Sequence, residues 1–144
     1  MLNIIRVKNN EQLKDCLKIR EKVFINEKGV PKEIENDKYD ILTNECEHFL
    51  IMFDNTLVGT LRCFIKNEDE VIIQRFCIIK KYRKLGLGRK TLSFIENYYK
   101  NSKKTIKMDA KYEASKFYEK CGYKKISDIF IEANIEHVKM IKQL

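Results

Sequence analysis

Between residues 71 and 99 the pattern of hydrophobic positions changes from extended to helical. Residues 71–79 are mostly apolar on both faces of an extended chain, which predicts a central strand buried from both sides. From Leu87 onward, apolar residues recur at helical spacing, so a helix is expected to begin near that residue. Simple alternation along the strand assigns Val71, Ile73, Cys77 and Ile79 to one face and Ile72, Phe76 and Ile78 to the other.

The rest of the chain predicts further strands and helices within one domain of 144 residues. A helix is expected to follow the cap Asn9 or Asn10 and to end at Gly29. A short helix with apolar positions 114, 117, 118 and 121 ends at Gly122. If Ile135–Ile141 is an edge strand, it would pair across a homodimer or leave the chain a monomer. The predicted strands besides the central one are Asn3–Val7, His48–Phe53, Leu57–Ile65, Thr105–Ala110, Tyr123–Ile131 and Ile135–Ile141.

The turn between the central strand and its helix has the features of an anion-binding loop. Gly86 and Gly88 lack the Cβ atoms that would hold a ligand away from the backbone. The first N–H groups of the helix have no partners within it, and Arg83, Lys84 and Arg89 add positive charge. The turn is therefore predicted to hold phosphate oxygens.

Two common nucleotide-binding motifs are excluded at this turn. A Walker-type loop needs a first glycine, four intervening residues and then Gly-Lys-Ser/Thr, a spacing that the chain lacks. A dinucleotide fingerprint would need a third glycine where Thr91 stands. A short basic turn in front of a core helix is the alternative to a ligand-binding loop.

Composition limits the classes of function. The net charge of +8 admits nucleic acid as a partner, but the lysines are scattered, so a nucleic-acid-binding module is the second choice. Only two histidines and no paired ligands are present, so no metal site is predicted. The five cysteines show no Cys-x-x-Cys spacing and are expected to be reduced core residues. Without a signal peptide or an apolar run of roughly 18 residues, a cytoplasmic protein with no membrane association is expected.

The turn and its surroundings resemble a known signature. Residues 75–88, which end in Arg83-x-x-Gly86-x-Gly88, are similar to the strand-loop-helix signature that binds the pyrophosphate of acetyl-coenzyme A in the GNAT superfamily of N-acetyltransferases. The predicted order of elements is also that of the GNAT fold, so the resemblance covers nearly the whole chain. Six further segments resemble a small ElaA-like bacterial branch: Arg20-x-x-Val23-Phe24, Gly29-Val30-Pro31, His48-Phe49-Leu50, Val58-Gly59-Thr60-Leu61-Arg62, Phe117-Tyr118-Glu119-Lys120-Cys121-Gly122-Tyr123 and Ile135-Glu136-His137-Val138-Lys139-Met140.

This resemblance implies a fold, a cofactor and a reaction. The fold would be an α/β (α+β) GNAT fold, in which about four helices flank a mixed central sheet of six to seven strands. The reaction would move an acetyl group from acetyl-CoA to the primary amine of a small molecule or peptide by direct attack. The implied cofactor contacts are the backbone of Phe76, Cys77 and Ile78 for the pantetheine arm, and Arg83, Lys84, Leu85, Gly86, Leu87, Gly88 and Arg89 for the pyrophosphate.

The resemblance also implies that Tyr118 donates a proton to the leaving thiolate, because it matches the tyrosine of the helix after the fifth strand. Its hydroxyl is neutral at pH 7 and can give this proton. The alternative is a core tyrosine, since Tyr118 shares a stripe with Ala114 and Phe117. A non-catalytic module that binds acyl-CoA or nucleic acid would not need this hydroxyl.

The general base is left open. Asp109 ends the fifth strand near the expected thioester, whereas His48 and His137 belong to strands that can border the acceptor cleft. His137 is also assigned to substrate binding. Each residue has an ordinary alternative: Asp109 as a helix cap, and either histidine as a structural residue.

Charged residues on the acceptor side have two interpretations. Arg20 falls on the buried stripe of the first helix, where it would bind substrate or pair with a carboxylate. The acidic segment Lys32–Asp40 would attract a cationic substrate or form a solvated loop or short helix. Lys111 departs from the superfamily, which often has a polar amide there to contact the cofactor. The carboxylates of the acidic segment are Glu33, Glu35, Asp37 and Asp40.

Overall fold

The computed structural model describes residues 1–144, apart from the side chains of residues 33 and 34, and contains an eight-stranded mixed sheet. This confirms the predicted mixed α/β fold. The strands are β1 (Leu2–Arg6), β2 (Cys46–Phe53), β3 (Thr56–Ile65), β4 (Glu70–Ile78), β5 (Thr105–Lys111), β6 (Lys124–Lys125), β7 (Phe130–Glu132) and β8 (Ile135–Gln143). The helices are α1 (Asn10–Arg20), which continues into a π-helical segment (Glu21–Glu27), α2 (Lys32–Glu35), α3 (Leu87–Tyr99) and α4 (Ser115–Lys120).

The strands follow the order β1-β2-β3-β4-β5-β8-β6, and β7 also pairs with β8. β4 and β5 are parallel neighbours connected through α3, while the other described pairs are antiparallel. The parallel pairing ends at Ile73 and Met108. β8 lies between β5 and the short strands β6 and β7, so the expectation that it forms a free edge for dimer pairing is wrong.

Both faces of β4 are covered, as the sequence predicts. On one face, α3 packs its apolar stripe onto the sheet and buries Leu92 and Ile95 almost completely. On the other face, α1 packs Leu13 and Cys16 against Leu50. Each side chain of this kind contributes about 1.5–3 kcal/mol when fully buried. These two layers therefore hold β4, and the turn that follows it, in a defined position.

A β-bulge in β4 changes which side chains face each layer. Two residues, Arg75 and Phe76, lie opposite Leu61 alone, and Arg75 has a left-handed φ of 54°. The extra residue shifts the alternation, so Cys77 packs with α1 while Phe76 and Ile78 pack on the α3 side. The predicted faces of these three residues are wrong because a period of two cannot reveal an inserted residue.

The predicted strand Tyr123–Ile131 is divided into β6 and β7. The break occurs at Ser127, whose hydroxyl accepts the N–H of Lys139 at 2.9 Å in place of a backbone carbonyl. None of the described helices is both long and apolar enough to cross a membrane. The cysteines that are buried, as expected of core residues, are Cys16, Cys46, Cys63 and Cys77.

Candidate active site

β4 and β5 separate after Ile73 and Met108, and a cleft of about 460 Å³ opens there. Its walls come from the π-helical segment, the ends of β4 and β5, α4 and the β7–β8 hairpin. Beyond the last parallel pair, the edge of β4 has no register partner in β5, so this edge is open to an added strand. The lining includes Phe24, Phe76, Lys111, Tyr118, Glu132 and His137.

Arg20 lies in a buried ion pair and is not among the residues that line the cleft. Its side chain is 1% exposed and donates to Glu35 at 3.0 Å and to Asp40 at 2.5 Å. Burial alone would raise the pKa of Asp40, but hydrogen bonds from Arg20 hold this pKa below its usual value. The structure thus shows the carboxylate pairing that the sequence left as the alternative to substrate binding.

The same charge network holds the bulge of β4. Arg75 donates from Nε to the carbonyl oxygen of Glu35 at 3.0 Å and lies 3.1 Å from its carboxylate. Arg62 donates to Asp37 at 2.6 Å. A residue with positive φ costs about 1–3 kcal/mol unless its surroundings fix it, so these contacts fix the backbone beside the cleft. Glu33, the remaining carboxylate of the acidic segment, has a side chain outside the described residues.

The loop after β4 exposes backbone N–H groups at the start of α3. Lys84 and Gly86 have left-handed φ angles of 66° and 77°, and α3 begins directly afterwards at Leu87. The N–H of Lys90 bonds to the carbonyl of Gly86 at 3.2 Å, and no side chain caps the helix. The earlier N–H groups of the first turn therefore have no helical acceptor. The exposed side chains of Lys84 and Arg89 make the surroundings cationic.

Arg83, at the start of the loop, is paired with a carboxylate from a distant segment. Its guanidinium donates to both carboxylate oxygens of Glu27, at 2.6 and 2.8 Å, and to the carbonyl oxygen of Ile78 at 2.8 Å. The hydrogen bonds from Arg83 lower the pKa of Glu27 to about 2. Arg83 thereby connects the loop to the π-helical segment. Arg83 and Glu27 are 56 positions apart in the sequence, so local sequence patterns cannot show this contact. The assignment of Arg83 to the pyrophosphate stays a prediction, and in this structure its guanidinium is paired with Glu27.

The other predicted cofactor residues lie at or beside the unpaired end of β4. Phe76 lines the cleft, Cys77 is buried on the α1 side and Ile78 packs on the α3 side. The side chain of Cys77 therefore faces away from the cleft, and its backbone is in register with Thr60 of β3. Leu85 is 52% exposed at the tip of the loop.

α4 places Tyr118 in the wall of the cleft, and the neighbouring Phe117 contacts α3. The Tyr118 ring packs edge-on against Phe117 and Tyr123, with centroids 5.1 and 6.0 Å away. Burial raises the pKa of Tyr118, so its hydroxyl stays neutral, and no hydrogen-bond partner for it is found among the described residues. Phe117, expected on the inner stripe, is 38% exposed and lies against Gly88, where a Cβ would sit 3.2 Å from its ring.

Two of the three candidate bases are engaged elsewhere. His48 is 2% exposed, lies outside the cleft lining and places Nε2 3.1 Å from the carbonyl oxygen of Tyr39. Burial also lowers the pKa of His48. Asp109 lines the cleft, but Lys139 donates to it at 3.1 Å. Neither residue offers an unpaired base to the cleft.

His137 is the candidate base that lines the cleft without accepting a hydrogen bond from a lysine. Its Nδ1 lies 2.7 Å from the carbonyl oxygen of Ile135. Because a carbonyl only accepts, Nδ1 carries the proton, and in the neutral ring Nε2 keeps its lone pair. Nε2 is 3.9 Å from the carboxylate of Glu132, and the ring stacks on Phe130 at 5.8 Å.

Phe24 and Glu132 are cleft residues that the sequence does not identify. The sequence places Phe24 on a core stripe and gives Glu132 no role, yet both line the cleft. They reach it only because the π-helical segment and the β7–β8 hairpin pack around the open end of β4. Arg75, a charge within an apolar strand, is the one local signal that this part of the strand is unusual.

Comparison with known proteins agrees with this geometry. A family model described as "Acetyltransferase (GNAT) domain" matches residues 10–144. The chain is 38% identical to YyaT, an uncharacterized protein of Bacillus subtilis, over 144 residues that cover 99% of this chain and 97% of the relative. A crystal structure of a Lactobacillus plantarum protein assigned as an N-acetyltransferase has a TM-score of 0.90 and 27% identity, covering 99% of this chain and 98% of the other.

The predicted likeness to ElaA is confirmed at the level of the fold. Escherichia coli ElaA has a TM-score of 0.81 and 22% identity, and 99% of each chain is covered. The alternative of a non-catalytic module loses its support, because the family is one of enzymes. The chain belongs to the GNAT family of acetyltransferases and is an N-acetyltransferase that uses acetyl-CoA as its acetyl donor.

Proposed function

We propose that this N-acetyltransferase transfers the acetyl group directly to the primary amine of a small molecule or peptide, with donor and acceptor bound together in the cleft between β4 and β5. One observation carries the proposal. The separation of these strands brings a neutral tyrosine hydroxyl, Tyr118, and a histidine lone pair, Nε2 of His137, into one cleft beside the unpaired edge of β4.

The described residues fit acetyl-CoA. The free N–H groups at the start of α3, with Lys84 and Arg89, suit a pyrophosphate. The edge of β4 beyond Ile73, which has no register partner in β5, suits the amides of a pantetheine arm, which would lie along β4 as an added strand does. When bound, acetyl-CoA supplies an acetyl thioester that is open to attack by an amine.

The reaction first requires that a proton is removed from the acceptor amine, and in this proposal His137 removes it. A lysine-like amine has a pKa near 10.4, so making it neutral at pH 7 costs about 4.6 kcal/mol. Nε2 of His137 accepts this proton, directly or through water. The carboxylate of Glu132, at 3.9 Å, then stabilises the protonated ring.

The reaction also requires a proton for the leaving sulfur of coenzyme A, and in this proposal Tyr118 supplies it. Its hydroxyl remains protonated because burial opposes the phenolate. It also has no hydrogen bond to another described residue that would have to break first. Tyr118 is therefore the proton donor, and His137 is the acceptor, on the walls of one cleft.

The first test is a calorimetric titration of acetyl-CoA into the wild type, Gly86→Asp and Gly29→Asp. The two glycines have matching φ angles of 77° and 73°, and at neither position would an added Cβ have an atom within 4 Å. Both variants therefore carry a similar conformational cost, but only Gly86→Asp places a negative charge at the start of α3. We expect at least about tenfold weaker binding, about 1.4 kcal/mol, for Gly86→Asp alone.

The second test is an acceptor screen with a diamine, an amino sugar and a lysine peptide. The measured quantity is the release of free coenzyme A thiol. Acceptor-dependent release by the wild type supports the proposal. If the protein binds acetyl-CoA but acetylates no amine, direct transfer in this cleft is contradicted.

A further inference from the structure

Lys111 is the last residue of β5 and lines the cleft. In the antiparallel register with β8, it stands directly opposite His137. Directly opposed residues have Cβ atoms about 4.5–5.5 Å apart on the same face of a sheet. The chain thus places an amine of its own beside the histidine to which the proposed function assigns the acceptor's proton.

The surroundings of Lys111 differ from those of the other lysines nearby. Lys107, on the same strand, donates to Glu70 at 2.9 Å, and Lys139 donates to Asp109 at 3.1 Å. Lys111 forms no ion pair with a described carboxylate, and its Nζ lies 5.4 Å from the ring centroid of Phe24.

Several charges act on the Lys111 amine. Burial is the largest effect and lowers its pKa, and the positive charges of Lys28 and Arg83 lower it further. Glu113 acts in the opposite direction. The environment therefore increases the fraction of Lys111 that is a neutral amine, which is the nucleophilic form.

We infer that Lys111 is itself an acetyl acceptor, so that the enzyme acetylates this residue within its own cleft. The inference rests on the proposed function, because it uses the same donor and the same proton acceptor. It adds a covalent modification site, which would convert a cationic side chain of the cleft into a neutral amide and remove its contact with the Phe24 ring.

The transfer balances without an additional reagent. Nε2 of His137 takes a proton from the Lys111 ammonium, and the freed lone pair forms a bond to the acetyl carbonyl carbon. The bond from that carbon to sulfur breaks, and its electron pair leaves on sulfur. Tyr118 supplies a proton to the sulfur and regains one when the new amide nitrogen loses its second proton, while His137 returns the proton it took to solvent. The products are therefore acetyl-lysine, coenzyme A thiol and one released proton, and no atom is oxidised or reduced.

The experiment is incubation of the purified protein with acetyl-CoA, without an added amine, followed by intact-mass measurement and peptide mapping over time. Lys111→Arg keeps the positive charge but removes the acceptor, and Lys107→Arg is the matched control on the same strand and face. We expect one acetyl group at Lys111, formed more than about tenfold faster than at other lysines, because a positioned nucleophile acts at a very high effective concentration. Lys111→Arg should lose this acetyl group, Lys107→Arg should keep it, and His137→Gln should slow its formation.

The results separate this inference from the proposed function. If calorimetry shows that acetyl-CoA binds but Lys111 reacts no faster than exposed lysines, self-acetylation is overturned and the transfer to external amines stands. If acetyl-CoA does not bind at all, both are overturned. Because the peptide map of the wild type locates the acetyl group directly, the inference can be tested even if a variant fails to fold.

Discussion

The charge network around Arg20 and the cleft around Tyr118 differ in how their polar side chains are paired. In the network, Arg20 and Arg62 are buried and each contacts carboxylates at 2.5 to 3.1 Å. In the cleft, the Tyr118 hydroxyl has no described partner, and the His137 tautomer leaves Nε2 without a donor. Paired charges in this protein hold the backbone of β4, whereas unpaired groups beside that backbone are available for chemistry.

The contrast predicts the largest effect for Arg20→Met. Removing this guanidinium leaves Glu35 and Asp40 buried without their principal partner, which should cost about 3–5 kcal/mol in the free energy of unfolding. Urea denaturation measures this loss. The exposed pair Lys104–Asp69, at 3.8 Å, is the control, because Lys104→Met should change stability by less than about 1 kcal/mol. Equal effects of the two substitutions would remove the distinction between the network and an ordinary surface pair.

Tyr118→Phe should produce the opposite result. The lost hydroxyl has no described hydrogen bond, so the free energy of unfolding should stay within about 0.5 kcal/mol of the wild type. The lost proton donor should lower kcat by roughly 10² to 10³. Steady-state kinetics and urea denaturation on one preparation test both parts. An unchanged kcat would return Tyr118 to a purely structural role.

His137→Gln should lower kcat by about 10² while the affinity for acetyl-CoA stays the same. Glutamine keeps a polar side chain of similar length but cannot accept a proton at neutral pH. His48→Gln is the comparison, because His48 lies outside the cleft lining. A larger loss of kcat in His48→Gln, with the fold intact, would reverse the assignment of the base.

Acid should weaken the network through Asp37 and Asp40. Burial alone would raise the pKa of each carboxyl, but hydrogen bonds from Arg62 and Arg20 lower both. A carboxyl with a lowered folded-state pKa adds stability above its unfolded pKa, and this stability is lost as the pH falls through the folded pKa. We expect the free energy of unfolding of the wild type to decrease below about pH 5. The free energy of unfolding of Asp37→Asn should decrease less steeply with falling pH. Denaturation at a series of pH values checks this, and an identical slope in the variant would contradict it.

The unit of strand, loop and helix could be predicted from sequence because its signals are local. Apolar residues on both faces predict β4, and Gly86 with the following apolar stripe predicts the start of α3. The hydrophobic pattern likewise predicts that Tyr118 lies in a helix and His137 in a strand. Their meeting in one cleft does not, because it depends on where β5 leaves β4.

Other features depend on contacts between distant residues. The bulge at Arg75 is an insertion that alternation cannot show, and it is held by Glu35 from a separate segment. Arg83 is paired with Glu27, and His48 and His137 look alike in sequence although only His137 lines the cleft.

The sequence by itself determined most of the order of strands and helices, the glycine-containing turn before α3 and the family resemblance, because hydrophobic period, glycine and local charge act over a few residues. Only the tertiary structure decided which charges are paired and which remain free. Pairing depends on distances between side chains that the chain brings together from far apart, and those distances set whether a group stabilises the fold or takes part in the reaction.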